Sequence, residues 1–368
     1  HFRIRQNRRV VHEITIPVDI VTAASADAVD AVTTASLRNV AGEIDVRTSI
    51  QRSDVDTLTT RVAVHVEEPL SSGTLGAGWR RSLADDNAQL SVDGSVTIDG
   101  FDRRVQTGEY YRKSARGTAS LNLGFAQLLS PTTAFDASYG ITQQWATLAQ
   151  TWNAVPVEGA PPDGERLPRA RLRQAVAARI AQRVPLTNST VKARYRYYRD
   201  DFDIVAHTVD ASAYQYLAPW LVLRLGARFH RQTAASFFTI ARPAEDQGQA
   251  GLRTADSDLA AFDSREVSAE LMLLKARQPR GLRAYSFSAE VLRYWRSNDL
   301  QITSVALSIE IRTPGNLTAL DGALERGRVG QPYRARLVAL GGTEPYRWTA
   351  VGAVPSGLEI TEAGEVVG

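Results

Sequence analysis

"AQLSVDGSVTIDG", residues 88–100, alternates almost without a slip: Leu90, Val92, Val96 and Ile98 fall on one side, and Ser91, Asp93, Ser95, Thr97 and Asp99 on the other. A period of two over this length is a β-strand with one apolar and one polar face. Such a strand is roughly 35 Å long at about 3.3 Å per residue, enough to cross a bilayer at a tilt. The pattern recurs. Ile44, Val46, Thr48 and Ile50 alternate with Glu43, Asp45, Arg47 and Ser49, and Thr60, Val62, Val64 and Val66 with Arg61, Ala63, His65 and Glu67. Phe135, Ala137, Tyr139 and Ile141 oppose Asp136, Ser138 and Gly140; Leu221, Leu223, Leu225 and Phe229 oppose Arg224, Gly226, Arg228 and His230; Val305, Leu307 and Ile309 oppose Ser304, Ser308 and Glu310.

Composition fits strands that hide their apolar residues at alternate positions. Mean hydropathy is −0.22 and no run of eighteen apolar residues occurs, which excludes helical membrane spans but not a barrel. The net charge of +3, from 43 basic and 40 acidic residues, is too balanced for a nucleic-acid footprint. Zero Cys removes disulfides and thiol chemistry. The chain opens at His1, and the expectation is of an exported protein whose leader has been removed.

Short and long connections take turns. Turn chemistry marks 84–87 (ADDN), 130–133 (SPTT), 185–188 (PLTN), 218–220 (APW) and 278–281 (QPRG), while 100–115, 150–170 and 232–262 are longer and polar. This is the asymmetry of an outer-membrane barrel, with tight periplasmic turns and larger external loops. The rule yields fourteen strands: 13–23, 38–50, 57–67, 74–83, 88–99, 115–128, 133–148, 171–183, 188–199, 204–216, 219–231, 263–276, 282–295 and 300–312. Tyr110, Tyr111, Trp145, Trp152, Tyr195, Tyr197, Tyr198, Tyr294 and Trp295 fall near strand ends, where amphipathic rings suit a bilayer interface. The competing reading is a soluble sandwich with rings at its rim.

Near residue 314 the texture changes. The tail "GQPYRARLVALGGTEPYRWTAVGAVPSGLEITEAGEVVG" resembles the start of an immunoglobulin-like bacterial module, through Gly330, Pro332, Tyr333, Gly341, Gly342, Pro345, Tyr346, Trp348, Pro355, Gly357 and Leu358. Such modules run to about 80 to 100 residues, so the resemblance implies one that is incomplete at residue 368. The stretch 13–313, including "PVDIVTAASADAVDAVTTASLRNV" at 17–40, is similar to a bacterial outer-membrane family classified as a domain of unknown function. That resemblance implies an outer-membrane β-barrel and no assigned activity.

No catalytic set stands out. The five His (His1, His12, His65, His207, His230) build no HExxH, and neither a GxSxG elbow nor a phosphate-cradling GxxxxGK[ST] is present. His65 and His230 fall on the polar face without a nucleophile beside them. The acid clusters Asp200, Asp201 and Asp203, and Asp256, Asp258, Asp263 and Glu266, lack EF-hand spacing and read as solvated loop charge. The expectation is of a non-enzyme, with no metal and no cofactor.

The informative set is the polar face. Arg171, Arg173, Arg179 and Arg183 share the inward parity of the eighth strand; Lys192, Arg194 and Arg196 that of the ninth; Arg224, Arg228 and His230 that of the eleventh. These form a basic wall. Asp93, Asp99, Asp136, Glu270, Glu290 and Glu310 form an acidic one. Two such walls set a transverse field across a lumen, unless the charges pair and fill it; fourteen strands lie between a filled eight-stranded barrel and an open sixteen-stranded one.

The reading is therefore all-β: an N-terminal periplasmic segment (1–12), a transmembrane antiparallel β-barrel of about fourteen strands (13–313) and a linker with an incomplete Ig-like β-sandwich segment (314–368). It sits in the bacterial outer membrane with both termini periplasmic. It acts as a porin-like channel for small hydrophilic or anionic solutes. The alternative is an anchor or scaffold barrel that docks a larger envelope or surface assembly through its Ig-like module. The expected partners are outer-membrane lipid and periplasmic or surface proteins bound through 314–368, and no nucleic acid.

Overall fold

The computed structural model describes every residue except 1, 8, 23–37, 68–69, 105–110, 150–152, 247, 249, 276–283, 313–317, 320–330, 338, 341–344, 351–353 and 356. The chain is all-β. Its strands are β1 (Phe2–Arg5), β2 (Val10–Thr15), β3 (Val18–Thr22), β4 (Arg38–Gln51), β5 (Asp56–Glu67), β6 (Leu70–Leu83), β7 (Ala88–Arg104), β8 (Tyr111–Ser130), β9 (Thr133–Ala146), β10 (Ala154–Val157), β11 (Ala160–Gly164), β12 (Ala170–Val184), β13 (Ser189–Asp200), β14 (Val205–Ala218), β15 (Leu221–Gln232), β16 (Phe262–Lys275), β17 (Ala284–Arg296) and β18 (Gln301–Arg312). Sixteen of these pair in the order β1-β2-β4-β5-β6-β7-β8-β9-β12-β13-β14-β15-β16-β17-β18, with β3 also on β4. The remaining two, β10 and β11, form a separate hairpin.

Thirteen of the fourteen expected strands are single strands here, several longer than their alternation suggested. The fourteenth is broken. Pro17 lacks an amide hydrogen and cannot donate to a ladder, so the expected strand 13–23 divides into β2 and β3 around Ile16 and Pro17, while the Pro17 carbonyl still accepts from the Glu43 amide at 3.2 Å. Residues 1–12 do not form a segment apart: β1 pairs with β2 from Phe2↔Ile14 to Arg5↔Val11, and β2 pairs with β4. The strand order ends at β1 and β18, so the ring that a barrel requires is not part of the described pairing.

Two compact units divide the chain. The first holds His1–Tyr214, Leu225–Ser268 and Leu292–Thr303. Its strand registers keep one parity of side chains on each face from β2 to β13, apart from a bulge between Leu128 and Ser130 beside the β8–β9 turn. On one face a single row runs Glu13, Arg47, Arg61, Gly76, Ser95, Ser120, Thr142, Arg173, Asp200. On the other, a row runs Ile50, Leu58, Trp79, Val92, Leu123, Tyr139, Val176, Tyr197. The apolar face is uncovered, with Val62 50%, Leu75 65% and Val176 50% exposed. The polar face is the more enclosed, with Asp45 and Asp99 at 7% and 6%. A protein that buries its apolar surface in water does the reverse. Among the described residues no second sheet packs on the apolar face to make the sandwich of the competing reading.

The true hydrophobic cluster lies among loops. Leu148, Phe202, Ile204, Ala235 and Leu259 are buried together, with Leu167, Tyr198, Phe237 and Phe238 against them. The expected irregular stretches 150–170 and 232–262 are thus folded structure, and the β10–β11 hairpin belongs to the first. Fully buried Asp163 receives Arg242 at 3.0 Å and Arg253 at 3.5 Å. Burial pulls the Arg253 guanidinium below its ordinary value, and the Asp163 carboxylate opposes that pull. The alternation of short and long connections is only partial: at the loop end, 201–204 and 297–300 are as tight as the turns at the other end.

The second unit holds Gln215–Arg224, Ala269–Val291 and Ser304–Gly368. Its tail contains a two-stranded pair, β19 (Thr318–Ala319) with β21 (Ala339–Leu340), and the three-stranded order β20-β23-β22 of Arg334–Arg336, Glu365–Val367 and Glu359–Ile360. Among the described residues these strands of two or three residues fall short of the seven of an Ig-type sandwich. Gly330, Gly341 and Gly342 lie outside the described residues.

Candidate functional site

The charged face is built by alternation, and its registers decide who meets whom. Between β12 and β13 the opposed pairs on this face are Arg173↔Asp200, Ala175↔Tyr198, Ala177↔Arg196, Arg179↔Arg194, Ala181↔Lys192 and Arg183↔Thr190. Toward β9 they are Arg171↔Gln144, Arg173↔Thr142 and Arg179↔Asp136. Arg171, Arg173, Arg179, Arg183, Lys192, Arg194 and Arg196 therefore share one face with Asp136, as do Asp93 and Asp99 on β7.

The acids and bases do not stand as two separate walls. Arg179 donates to Asp136 at 2.6 Å, Arg171 to Asp200 at 2.5 Å and Arg116 to Asp99 at 2.8 Å. Arg228 lies 3.6 Å from Asp210. In the second unit Arg224 bridges Glu270 at 3.3 Å and Glu290 at 3.4 Å. The expected opposition thus gives way to neutral pairs wherever the register puts an acid within reach. Parity alone says which face a charge takes, and not its height on the neighbouring strand.

What remains after pairing is mostly cationic. Among the described residues, Arg173, Arg183, Lys192, Arg194 and Arg196 have no carboxylate within ion-pair distance; Lys192 lies 4.4 Å over the Tyr214 ring and Arg196 5.2 Å over that of Tyr198. The Nε of Arg173 is buried with no hydrogen-bond partner, because Arg171 holds the Asp200 across from it. Small Ala177 and Ala181 face Arg196 and Lys192 across the β12–β13 ladder. These five charges span the register heights of residues 190 to 200, about 33 Å along β13 at about 3.3 Å per residue. Asp93 has no ion partner among the described residues and leans over Gly78, where a Cβ would meet its carboxylate. The side chain of Glu310 lies outside the described residues.

Several members of the charged face were not singled out from the sequence. Arg61 donates to Asp45 at 2.8 Å and lies 3.4 Å from Glu43, and Arg47 lies 3.3 Å from Asp45. Pairing the two alternating runs 43–50 and 60–67 through the short turn between them finds this knot. His65 lies between Glu43 and Glu67, at 3.7 and 3.4 Å, and His230 meets the Thr208 hydroxyl at 2.8 Å and Gln232 at 3.2 Å. Tyr198, expected at a bilayer interface, belongs instead to the charged face, where its hydroxyl donates to Asp200 at 2.7 Å; Tyr110 and Trp152 lie outside the described residues.

Within the acid clusters expected to be solvated, Asp201, Asp203 and Asp258 are indeed exposed, but Asp200 and Asp256 are structural. The Asp200 carboxylate is fully buried and accepts from the amides of Phe202 and Ile204, each at 3.0 Å, which builds the tight corner 201–204. Asp256 caps the short turn Ser257–Leu259 by accepting from the Asp258 amide, and Asn153 donates to it at 3.0 Å. Among the described residues no group of three His, Asp or Glu is placed to hold a metal ion.

A family described as "Protein of unknown function (DUF3570)" matches residues 83–278, from the β6–β7 turn past the end of β16. The chain belongs to this family. The matched region contains all five unpaired cations, both folded loops and the Asp200 corner. No curated protein matches the chain in sequence. Among solved structures it is similar to CdiB from Acinetobacter baumannii, at 10% identity and TM-score 0.47, over 90% of this chain and 62% of that one. A variant of the ferric enterobactin receptor (PfeA) from Pseudomonas aeruginosa gives 9% identity and TM-score 0.47, over 79% and 49%. The outer membrane protein OprD from Pseudomonas aeruginosa gives 8% and 0.35, over 83% and 92%. The chain thus spans about half to two thirds of the length of the first two.

Proposed function

We propose that this family member is a bacterial outer-membrane β-barrel whose charged face lines a conduit for small hydrophilic anions. The uncovered apolar face supports the barrel: rows of Val, Leu, Ile and aromatic residues half exposed to surroundings belong against hydrocarbon. The turn end is periplasmic and the folded loops are external, so β18 ends on the periplasmic side, whereas β1 starts at mid-sheet, level with Val46, and runs toward the turn end. The observation that carries conduction is the column of five unpaired cations, which spans about the hydrocarbon thickness and offers successive weak sites, as transport with release requires. The proposal assigns no catalytic step, cofactor or metal.

Reversal potentials in planar bilayers, with the column intact and with four of its cations replaced by Gln, test the conduit. A native protein that inserts and never conducts would pass the reading to the alternative, a barrel that anchors a larger assembly, with the tail from 314 as an Ig-like docking module for a periplasmic or surface protein.

The orientation has its own test. A peptide tag inserted after Gly159, at the tip of the β10–β11 hairpin, should bind antibody on intact cells, and one after Asp86, in the 84–87 turn, only after the outer membrane is opened. The opposite labelling would turn the chain over.

A further inference from the structure

A cleft of about 740 Å³ opens at the loop end of β8 and β9, lined by Lys113, Leu148, Arg166, Leu167, Arg169 and Leu252. Lys113, Arg166 and Arg169 are exposed, and among the described residues none has a carboxylate within ion-pair distance. The acid in the wall, Glu165, is buried and turned into the loop core, where the Thr254 hydroxyl donates to it at 2.6 Å. The three leucines supply an apolar side.

The level of the cleft on the strands is fixed by a ring. Trp145 stands opposite Gly117 and lies flat over it, where a Cβ would be about 2.1 Å from the indole. Both lie on the apolar face, in line with Ile98. Ala115, also in the cleft wall, is the next residue of that face on β8 and Lys113 the one after it. Each such step is about 7 Å. An apolar-face Trp near the end of a barrel strand marks the membrane interface, so the cleft begins one step beyond it, at the depth of lipid headgroups.

We infer that this cleft holds the phosphate-bearing headgroup of an outer-leaflet glycolipid, the phosphates on Lys113, Arg166 and Arg169 and the root of an acyl chain along the leucines. Three cations against the inward-turned Glu165 and against Asp102, which stands opposite Lys113 on β7, leave a net positive charge. The volume is in the range of organic-ligand sites, far beyond what a bare phosphate fills. The inference rests on the barrel reading for its lipid source and is independent of whether the barrel conducts.

The test uses the full chain refolded in neutral detergent, titrated with a bis-phosphorylated disaccharide lipid and with the same lipid dephosphorylated. A triple variant, Lys113→Ala, Arg166→Ala and Arg169→Ala, is run beside it, and inorganic phosphate and a soluble phosphosugar serve as competitors. Binding of the phosphorylated lipid should exceed that of the dephosphorylated one at least tenfold, the triple variant should lose at least tenfold, and added salt should narrow both gaps. Equal binding by native and variant protein, with both retaining their strand circular dichroism, overturns the site. A soluble phosphosugar that binds as tightly as the lipid overturns the lipid source. Insertion into phosphatidylcholine vesicles, read by protease protection, tests the barrel separately: insertion without phosphate selectivity removes the cleft alone, and failure to insert removes the membrane and the lipid with it.

Discussion

Arg in place of Val176 should cost about 2 to 4 kcal/mol of folding free energy in a vesicle, the cost of a cation at the middle of a barrel's lipid face. Ser in place of Arg228 should cost no more than about 1 kcal/mol. Val176 is half exposed on the apolar face, between Tyr139 on β9 and Tyr197 on β13. Near mid-strand, a guanidinium there has no interface within easy reach. Arg228 is also half exposed, but it points to the charged face, where it makes one loose contact with Asp210 at 3.6 Å. Solvent exposure is therefore alike at the two positions, and only the medium on each side of the sheet separates them. Urea titration of vesicle-inserted protein measures both. Equal, small costs would show that the apolar face meets water or protein, and the barrel reading would fail with them.

That contrast was already legible at residues 88–100, because a strand two-sided over its whole length encodes both faces in one line of sequence. Strand existence followed from alternation nearly everywhere, and the faces of β4 to β13 agree with it residue by residue. Height was not legible. Arg179 and Arg194 share a face and oppose each other, yet only Arg179 reaches Asp136, because β9 runs beside β12 and not beside β13. The loops were misread for a different reason. Asp200 reads as solvated charge, and Asp163 and Glu165 lie in a stretch that reads as a polar loop, but each is buried on a partner distant in sequence: Arg171, Arg242 with Arg253, and Thr254. A buried charge that is paired leaves no local signature, since its partner carries half of the information. The break at Ile16 and Pro17 was visible as a proline, but the alternation on either side of it, which continues in β2 and β3, outweighed it.

Replacing Arg183, Lys192, Arg194 and Arg196 by Gln should swing the reversal potential under a salt gradient from anion toward cation preference. Gln keeps most of the length and hydrogen-bonding capacity and removes four charges that no carboxylate among the described residues neutralises. The native preference should be strongest in dilute salt, where screening extends over about 30 Å at 0.01 M, and weak at 1 M, where it falls to about 3 Å. A paired control separates charge from shape. Arg179→Gln with Asp136→Asn removes a contact of 2.6 Å on the same face, at the height of Arg194, but leaves net charge unchanged, so its reversal potential should stay at the native value. If the control shifts as far as the fourfold variant, lumen geometry and not the column sets selectivity. If the native protein conducts and the fourfold variant keeps its reversal potential, the cations are filler with counter-ions drawn from solvent, and anion selection has to be sought at the loop end instead.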